Sequence, residues 1–128
     1  MSIGLENVHT NAAPEAIGPY SQAIVAGSFI FVSGQIPLDP ATGAMASGTF
    51  GDQTRRVLAN LDAILLAAGC GRERVVKVTV YLTDLAEFGT LNEIYATYFG
   101  AHRPARAVVQ VAALPRGAQV ELDAVAIL

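Results

Sequence analysis

The chain has 128 residues, of which 52% are hydrophobic and 15% are charged, and its formal net charge is −3. This length allows one domain with a substantial core, and we predict a single domain over residues 1–128. The acidic balance and the scattering of its eight Lys and Arg residues exclude a basic stripe that could bind a phosphate backbone, so we expect no nucleic-acid partner.

Targeting and metal-binding signals are absent from the sequence. The first residues lack a basic and apolar leader, and no apolar run reaches membrane-spanning length, so we expect a cytoplasmic protein with no membrane partner. The single cysteine, Cys70, excludes an internal disulfide and suggests a reducing compartment. His9 and His102 are far apart in sequence, which argues against a metal site.

The first half of the chain predicts two strands and a helix. Met1–Pro19 is punctuated by Pro and Gly and shows no period, so it predicts an extended lead-in. Gln22–Ala26 and Phe29–Ser33 are apolar runs of strand length around a short turn, which is typical of a hairpin. The apolar stripe of Phe50–Ala68 predicts an amphipathic helix that ends at Gly69.

A strand and a second helix are predicted next. Val76–Leu82 alternates valine and leucine with Lys, Thr and Tyr, which is a strand pattern. Apolar and aromatic residues share one helical face from about Glu87 to Phe99, and Gly100 supplies the stop. Asp62 faces away from the stripe of the first helix, and we interpret it as solvated surface.

The final segment predicts a hairpin, with strands at Val108–Ala112 and Val120–Leu128 around the turn Leu114–Gly117. A four-residue loop would set Gln110 opposite Glu121, Val108 opposite Asp123 and Arg106 opposite Val125. Period 2 then places on one face the side chains of Arg106, Gln110, Glu121 and Asp123. An odd-length loop would break this parity, so the register is a hypothesis.

A guanidinium and a carboxylate on one apolar surface need a partner each or a ligand. One interpretation is a structural ion pair between Arg106 and Glu121. The other is a site for a small anionic ligand, to which Tyr20 and Ser33, both at element boundaries, could contribute. Arg binds a carboxylate with two donors, while Glu or Tyr can hold a water. No GxSxG turn or Cys near a His supports covalent catalysis.

The predicted order is ββαβαββ, an α+β pattern with two helices to cover one face of a sheet. Several strands are nevertheless apolar at odd and even positions alike, which predicts that both faces of the sheet are buried. We therefore expect the second face to pack against another subunit.

Five segments together resemble the Rid (YjgF-type) family of reactive imine and enamine deaminases, and they cover nearly the whole chain. They are Gly18-Pro19-Tyr20-Ser21-Gln22-Ala23, Ser33-Gly34-Gln35-Ile36-Pro37, Lys77 to Leu82, Phe88 through Asn92 to Tyr95, and Pro104-Ala105-Arg106 through to Glu121-Leu122. The resemblance implies a chorismate-mutase-like fold, with a six-stranded sheet and two helices on one face. It also implies a homotrimer whose sheets form a central barrel, with sites in clefts between subunits.

Family members that keep the arginine hydrolyse 2-imino acids, such as the imine tautomer of 2-aminoacrylate, to 2-keto acids and ammonia without a cofactor. On this sequence the resemblance implies that Arg106 binds the substrate carboxylate, Glu121 orients the attacking water and Tyr20 closes the pocket. Ser33 and Gly34 would line the pocket, and Asn92 matches a further family position. The alternative is a non-catalytic trimer that binds or senses small keto or amino acids.

Three departures from the family pattern concern the pocket. Val108 stands where many relatives have cysteine, which excludes thiol chemistry there and favours water as the nucleophile. Ala107 replaces a serine. The loop Gly100–Arg103 is shorter than is usual in the family, so we expect a different pocket rim and leave substrate size open.

Overall fold

A computed structural model describes residues 4–128, so the first three residues of the predicted lead-in lie outside the described range. The described chain forms six strands and two α-helices. In chain order these are β1 (Leu5–Val8), β2 (Ala23–Ala26), β3 (Phe29–Gln35), α1 (Phe50–Ala68), β4 (Val75–Leu82), α2 (Phe88–Phe99), β5 (Ala105–Gln110) and β6 (Val120–Ile127). The α+β class is confirmed, and β1 adds a third strand before α1 to the order predicted from the residues.

All six strands form one mixed sheet in the order β1-β2-β3-β6-β4-β5. β5 pairs in parallel with β4, and the other neighbouring pairs are antiparallel. The parallel pairing follows from the connection, because α2 carries the chain back across the sheet between β4 and β5.

The predicted hairpin between the last two strands is wrong. β6 lies between β3 and β4, where it pairs Glu121 with Tyr81 and Asp123 with Thr79, and β5 is separated from it by β4. Every second side chain of β6 is buried beneath the helices, and the central position also pairs both edges of the strand. A turn at Leu114–Gly117 does form, but it belongs to a longer crossing connection.

Helix α1 has the bounds that the apolar stripe predicted, and it buries that stripe against the sheet. Thr49 and Asp52 form a capping box at its start, and Gly69 ends it in the left-handed conformation at φ 96°. Val57, Leu61 and Ile64 have no exposed surface. The sheet contributes the facing core residues Ile30, Val78, Val80, Leu82, Val120 and Leu122.

Two local predictions for this half of the molecule are wrong. A bulge in β4 between Val75 and Lys77 buries Val75 and leaves Val76 40% exposed, which breaks the predicted alternation at its first residue. Asp62 is not free surface, because its Oδ1 accepts a 2.8 Å hydrogen bond from the Tyr98 hydroxyl and lies 3.8 Å from an Arg72 nitrogen. It joins the two helices where they meet.

The helices leave one face of the sheet uncovered, and we call it the open face. Phe29 and Phe31 of β3 and Val109 of β5 lie on it, with 49%, 48% and 41% of their surface exposed. Within residues 4–128, no helix is long and apolar enough to cross a membrane.

Candidate functional site

A cleft of about 520 Å³ lies beside Glu121, and we call it the Glu121 cleft. It is bounded by the lead-in, the end of β3, the loop that follows β3 and the turn before β6. Its lining includes Ile17, Tyr20, Ser33, Gly34, Ile36, Leu38, Arg116 and Glu121. The structure therefore brings together four of the six residues predicted for the site: Tyr20, Ser33, Gly34 and Glu121.

An irregularity in β3 makes room for the Glu121 carboxylate. The pairing with β6 shifts between Val32 and Gln35, so that β3 holds one more residue than its partner at this point. A Cβ on Gly34 would overlap Oε2 of Glu121 and would lie 3.1 Å from its Cδ. Only glycine at position 34 permits this close approach of the carboxylate to the backbone.

The Glu121 carboxylate makes no hydrogen bond or ion pair within residues 4–128, and the residue is half-buried. Burial in the cleft raises the pKa of its carboxyl above the ordinary value, and the nearby Asp123 carboxylate raises it further. Asp123 is itself engaged, since its Oδ2 accepts a 2.9 Å hydrogen bond from the Tyr81 hydroxyl. Glu121 is therefore a carboxylate whose pKa is raised and whose neighbour Asp123 is already engaged.

The lead-in forms one wall of the cleft because a buried glutamine holds it. Gln22 is 2% exposed; its Oε1 accepts from the Thr10 backbone N at 2.7 Å, and its Nε2 donates to the Pro14 carbonyl at 2.8 Å. Tyr20 follows a turn at Gly18, which has φ 122°, and its hydroxyl accepts a 3.3 Å hydrogen bond from the Ile17 N–H. The residue is half exposed at the edge of the cleft.

Ser33 lines the cleft, but its hydrogen bonds are made to backbone carbonyl groups. Its hydroxyl donates to the Ser21 carbonyl at 2.5 Å, and its backbone N donates to the Gln22 carbonyl at 3.0 Å. These bonds fasten the end of β3 to the segment that carries Tyr20. The remaining lone pairs of the hydroxyl leave it able to accept, rather than donate, a bond from a ligand.

Arg116 is a cleft residue that the sequence analysis treated only as part of a turn. Its backbone adopts a left-handed conformation at φ 57°, which is uncommon for residues other than glycine. Its guanidinium donates a 2.9 Å hydrogen bond to the Gly43 carbonyl. Asn60 of α1 donates a 3.0 Å hydrogen bond to the carbonyl of Leu38, which lines the cleft. The Leu114-Pro115-Arg116-Gly117 pattern signals a turn but gives no sign of this cleft position.

Arg106 and Asn92 lie away from the cleft, at the edge of the sheet next to α2. The Arg106 guanidinium carbon is 4.8 Å from the centre of the Tyr95 ring and 5.6 Å from the centre of the Phe88 ring. Within residues 4–128, Arg106 makes no ion pair, and the Asn92 side chain makes no hydrogen bond. Phe88, Asn92 and Tyr95 are spaced for one face of α2.

The prediction that Arg106 and Glu121 share one face of the sheet is wrong. Arg106 is level with Val78 in the parallel ladder and lies on the helix-covered side, whereas Glu121 is opposite Tyr81 and lies on the open face. Gln110 similarly lies with Leu82 on the covered side, while Asp123 lies on the open face. The structural ion pair between Arg106 and Glu121 therefore does not form within one chain.

The side chains of the described residues also bear on metal binding. No group of three or more His, Cys, Asp or Glu residues within positions 4–128 is placed so that it could hold a metal ion. His102 instead lies with its Nε2 2.6 Å from the Val75 carbonyl, beneath the end of α2.

Comparison with known proteins assigns the class. The family model described as Endoribonuclease L-PSP matches residues 10–128, and the Rid-family protein YyfA of Yersinia pestis has a TM-score of 0.95 at 44% identity, covering 97% of this chain and 99% of that one. The chain belongs to this family, the Rid (YjgF-type) family, as the five segments predicted. Its fold is the chorismate-mutase-like fold of these relatives.

Individual relatives differ in what their names say. A mouse protein named 2-iminobutanoate/2-iminopropanoate deaminase is 52% identical over 120 residues, covering 94% of this chain and 89% of the mouse protein. A Pyrococcus horikoshii relative, 53% identical over 121 residues and covering 94% of this chain and 96% of its own, is named only as a RutC family protein. E. coli TdcF was solved with bound serine, and it has a TM-score of 0.92 at 43% identity, with 96% and 98% of the two chains covered.

Proposed function

We propose that this protein hydrolyses 2-imino acids, such as 2-iminopropanoate and 2-iminobutanoate, to 2-keto acids and ammonia at sites shared between the subunits of a homotrimer. The observation that carries the proposal is the unpaired Glu121 carboxylate, which is held with a raised pKa in a cleft large enough for such a substrate. The name of the mouse relative supports the same reaction.

One chain supplies two incomplete halves of the proposed site. The Glu121 cleft offers a base and the guanidinium of Arg116, which is held by a hydrogen bond to the Gly43 carbonyl. The Arg106 edge of the sheet, beside α2, offers an anion-binding guanidinium with no hydrogen-bond partner within residues 4–128. If a second copy covers the apolar open face, Arg106 of one subunit can approach Glu121 of the next. We infer that assembly completes the site, with Asn92 contributing beside Arg106.

Assembly gives the first expected result. Phenylalanines about half exposed on a sheet are costly in water, and covering them with equivalent faces of two further copies removes that cost. We expect light scattering to give three times the mass of one chain at micromolar concentration. A stable monomer would contradict both the trimer and any site shared between subunits.

Substrate binding in this proposal depends on charge and shape. The planar guanidinium of Arg106 donates two parallel hydrogen bonds to the substrate carboxylate, which also fixes the direction of the imine carbon. The bound serine of E. coli TdcF shows that this relative accepts a small molecule with a carboxylate. Tyr20 closes over the substrate, and Ser33 and Gly34 line the side from which water approaches.

The chemical step needs only a positioned water and a base. Glu121 accepts a proton from the water as its oxygen bonds to the imine carbon, and the imine nitrogen takes up a proton to give a carbinolamine. Protonated Glu121 then gives its proton to the amino nitrogen and the hydroxyl proton passes to solvent as the carbon–nitrogen bond breaks, which releases ammonia, leaves the 2-keto acid and restores the Glu121 carboxylate. Imines are already electrophilic, so positioning supplies much of the required rate enhancement. A raised pKa makes Glu121 a stronger base than an ordinary carboxylate.

The direct test is keto-acid release. An imine generated in situ by a pyridoxal-phosphate enzyme also hydrolyses without a catalyst, and we expect this protein to accelerate the appearance of both 2-keto acid and ammonia, in equal amounts, above that background. The same preparation is incubated with single-stranded RNA as a control for the activity in the family model's description. RNA cleavage without any acceleration of imine hydrolysis would overturn the proposal.

A further inference from the structure

We propose that Phe88 and Tyr95 are positioning residues that hold the Arg106 guanidinium between two aromatic rings, so that its N–H donors stay free for an anion. We call this pair of rings the aromatic cradle. The inference rests on the proposed function for its kinetic consequence, but the placement of Arg106 can be tested without any activity.

The geometry of α2 creates the cradle. Phe88 and Tyr95 are seven residues apart, which places them two turns apart on the same helical face, and this face lies over Arg106 of β5. The guanidinium carbon lies 5.6 Å from one ring centre and 4.8 Å from the other, both within the range of cation–π attraction.

An aromatic support, unlike a carboxylate, leaves the N–H donors of Arg106 available to a ligand. A carboxylate partner would occupy two of the donors of Arg106, and it would also repel an incoming substrate carboxylate. The ring faces attract the cation without accepting N–H hydrogen bonds in the guanidinium plane. Within residues 4–128, the Arg106 side chain makes no ion pair and no hydrogen bond, which is the state that such a support predicts.

Two further observations indicate that Tyr95 supports Arg106 through its ring and not through its hydroxyl. Its hydroxyl is buried and has no hydrogen-bond partner among residues 4–128, so hydrogen bonding by the hydroxyl does not explain tyrosine at this position. Burial raises the pKa of Tyr95 although Arg106 opposes the shift, so the side chain remains neutral and pairs with Arg106 through its ring. Phe88 is 40% exposed, so its ring remains at the surface beside the guanidinium rather than deep in the core.

The test compares variants that lose a ring with variants that keep it. Phe88→Leu and Tyr95→Leu remove one ring each, and Phe88→Tyr and Tyr95→Phe are the matched controls. Proton chemical shifts of the Arg106 side chain, assigned by comparison with Arg106→Lys, report the ring currents directly. We expect the upfield displacement to diminish in the leucine variants and to persist in the controls.

Kinetics supply the second measurement. Loss of a ring should raise KM for the imine about tenfold, with kcat changed by less than about twofold, because ring support acts on carboxylate binding rather than on the water. The ring-keeping variants should retain the KM of the parent protein. Tyr95→Leu also opens a core cavity, so Phe88→Leu, at the exposed position, decides the matter if Tyr95→Leu does not fold.

If folded Phe88→Leu has the Arg106 proton chemical shifts and the KM of the parent protein, the proposed role of the aromatic cradle is wrong. An equal rise of KM in Phe88→Tyr and Phe88→Leu would also overturn it, since that pattern reports side-chain size rather than the ring. If the shifts change as expected but no variant and no parent protein hydrolyses imines, the cradle stands and the proposed function fails.

Discussion

Glu121→Gln should lower kcat by roughly 10²-fold or more while keto-acid binding survives, because glutamine keeps the shape of the side chain but cannot accept the proton of the attacking water. Pre-steady-state turnover and keto-acid affinity, measured on one preparation, separate the two effects. The base form of Glu121 is lost as pH falls through its raised pKa, so kcat/KM of the parent protein should decline on that acidic limb.

Asp123→Asn gives a matched test of the same carboxylate. Asp123 raises the pKa of Glu121, so removing its charge should move the acidic limb to lower pH. An acidic limb that remains in Glu121→Gln would assign the titration to another group.

Stability distinguishes the catalytic assignment from a structural one. Because folding raises the pKa of Glu121, the ionised carboxylate destabilises the fold above that pKa, and this penalty disappears as pH falls below the unfolded value. Glu121→Gln should therefore leave the melting temperature at neutral pH unchanged or higher. If Glu121 were instead the ion-pair partner of Arg106 across a subunit interface, the change would cost about 3 kcal/mol. A large loss of stability with normal turnover would refute the catalytic role.

Arg106→Lys should lose most of the activity while the protein remains folded and assembled. Lysine keeps the positive charge but lacks the planar pair of donors, so it cannot fix the direction of the substrate carboxylate, and a misplaced imine carbon is attacked slowly. We expect kcat/KM to fall by roughly 10²-fold, measured by keto-acid release.

The matched control for this change is Arg55→Lys. Arg55 lies on α1, outside the Glu121 cleft and the Arg106 edge, and its side chain is 64% exposed beside Asp52. This variant should turn over at the parent rate. Parental turnover in Arg106→Lys would show that Arg106 does not bind the substrate carboxylate.

Elements with a local cause were predictable from the residues. The bounds of α1 follow from the apolar stripe and from Gly69, and both signals lie within the segment that they organise. β1 was missed for a related reason, since Leu5–Val8 is a short edge strand with one buried residue, and it shows too little alternation to stand out.

The site was predictable only as a set of residues. Tyr20, Ser33, Gly34 and Glu121 matched family segments, and the structure brings them to one cleft. The use of Gly34 became clear only from the carboxylate that lies against it. Arg116 had no signal beyond its turn, because its cleft position depends on a hydrogen bond to Gly43, which is distant in sequence.

By itself the sequence determined the helices, the class of the fold, the family and the excess of apolar sheet surface, since each of these is written in composition, local period or ordered motifs. Only the tertiary structure decided that β6 lies between β3 and β4 and that Arg106 and Glu121 occupy opposite faces. Strand partners depend on contacts between distant segments, which compete for the same edges, and a wrong partner transfers every side chain to a different neighbour. That placement separates the two groups of the proposed site within one chain, which is the reason for proposing that subunits share the site.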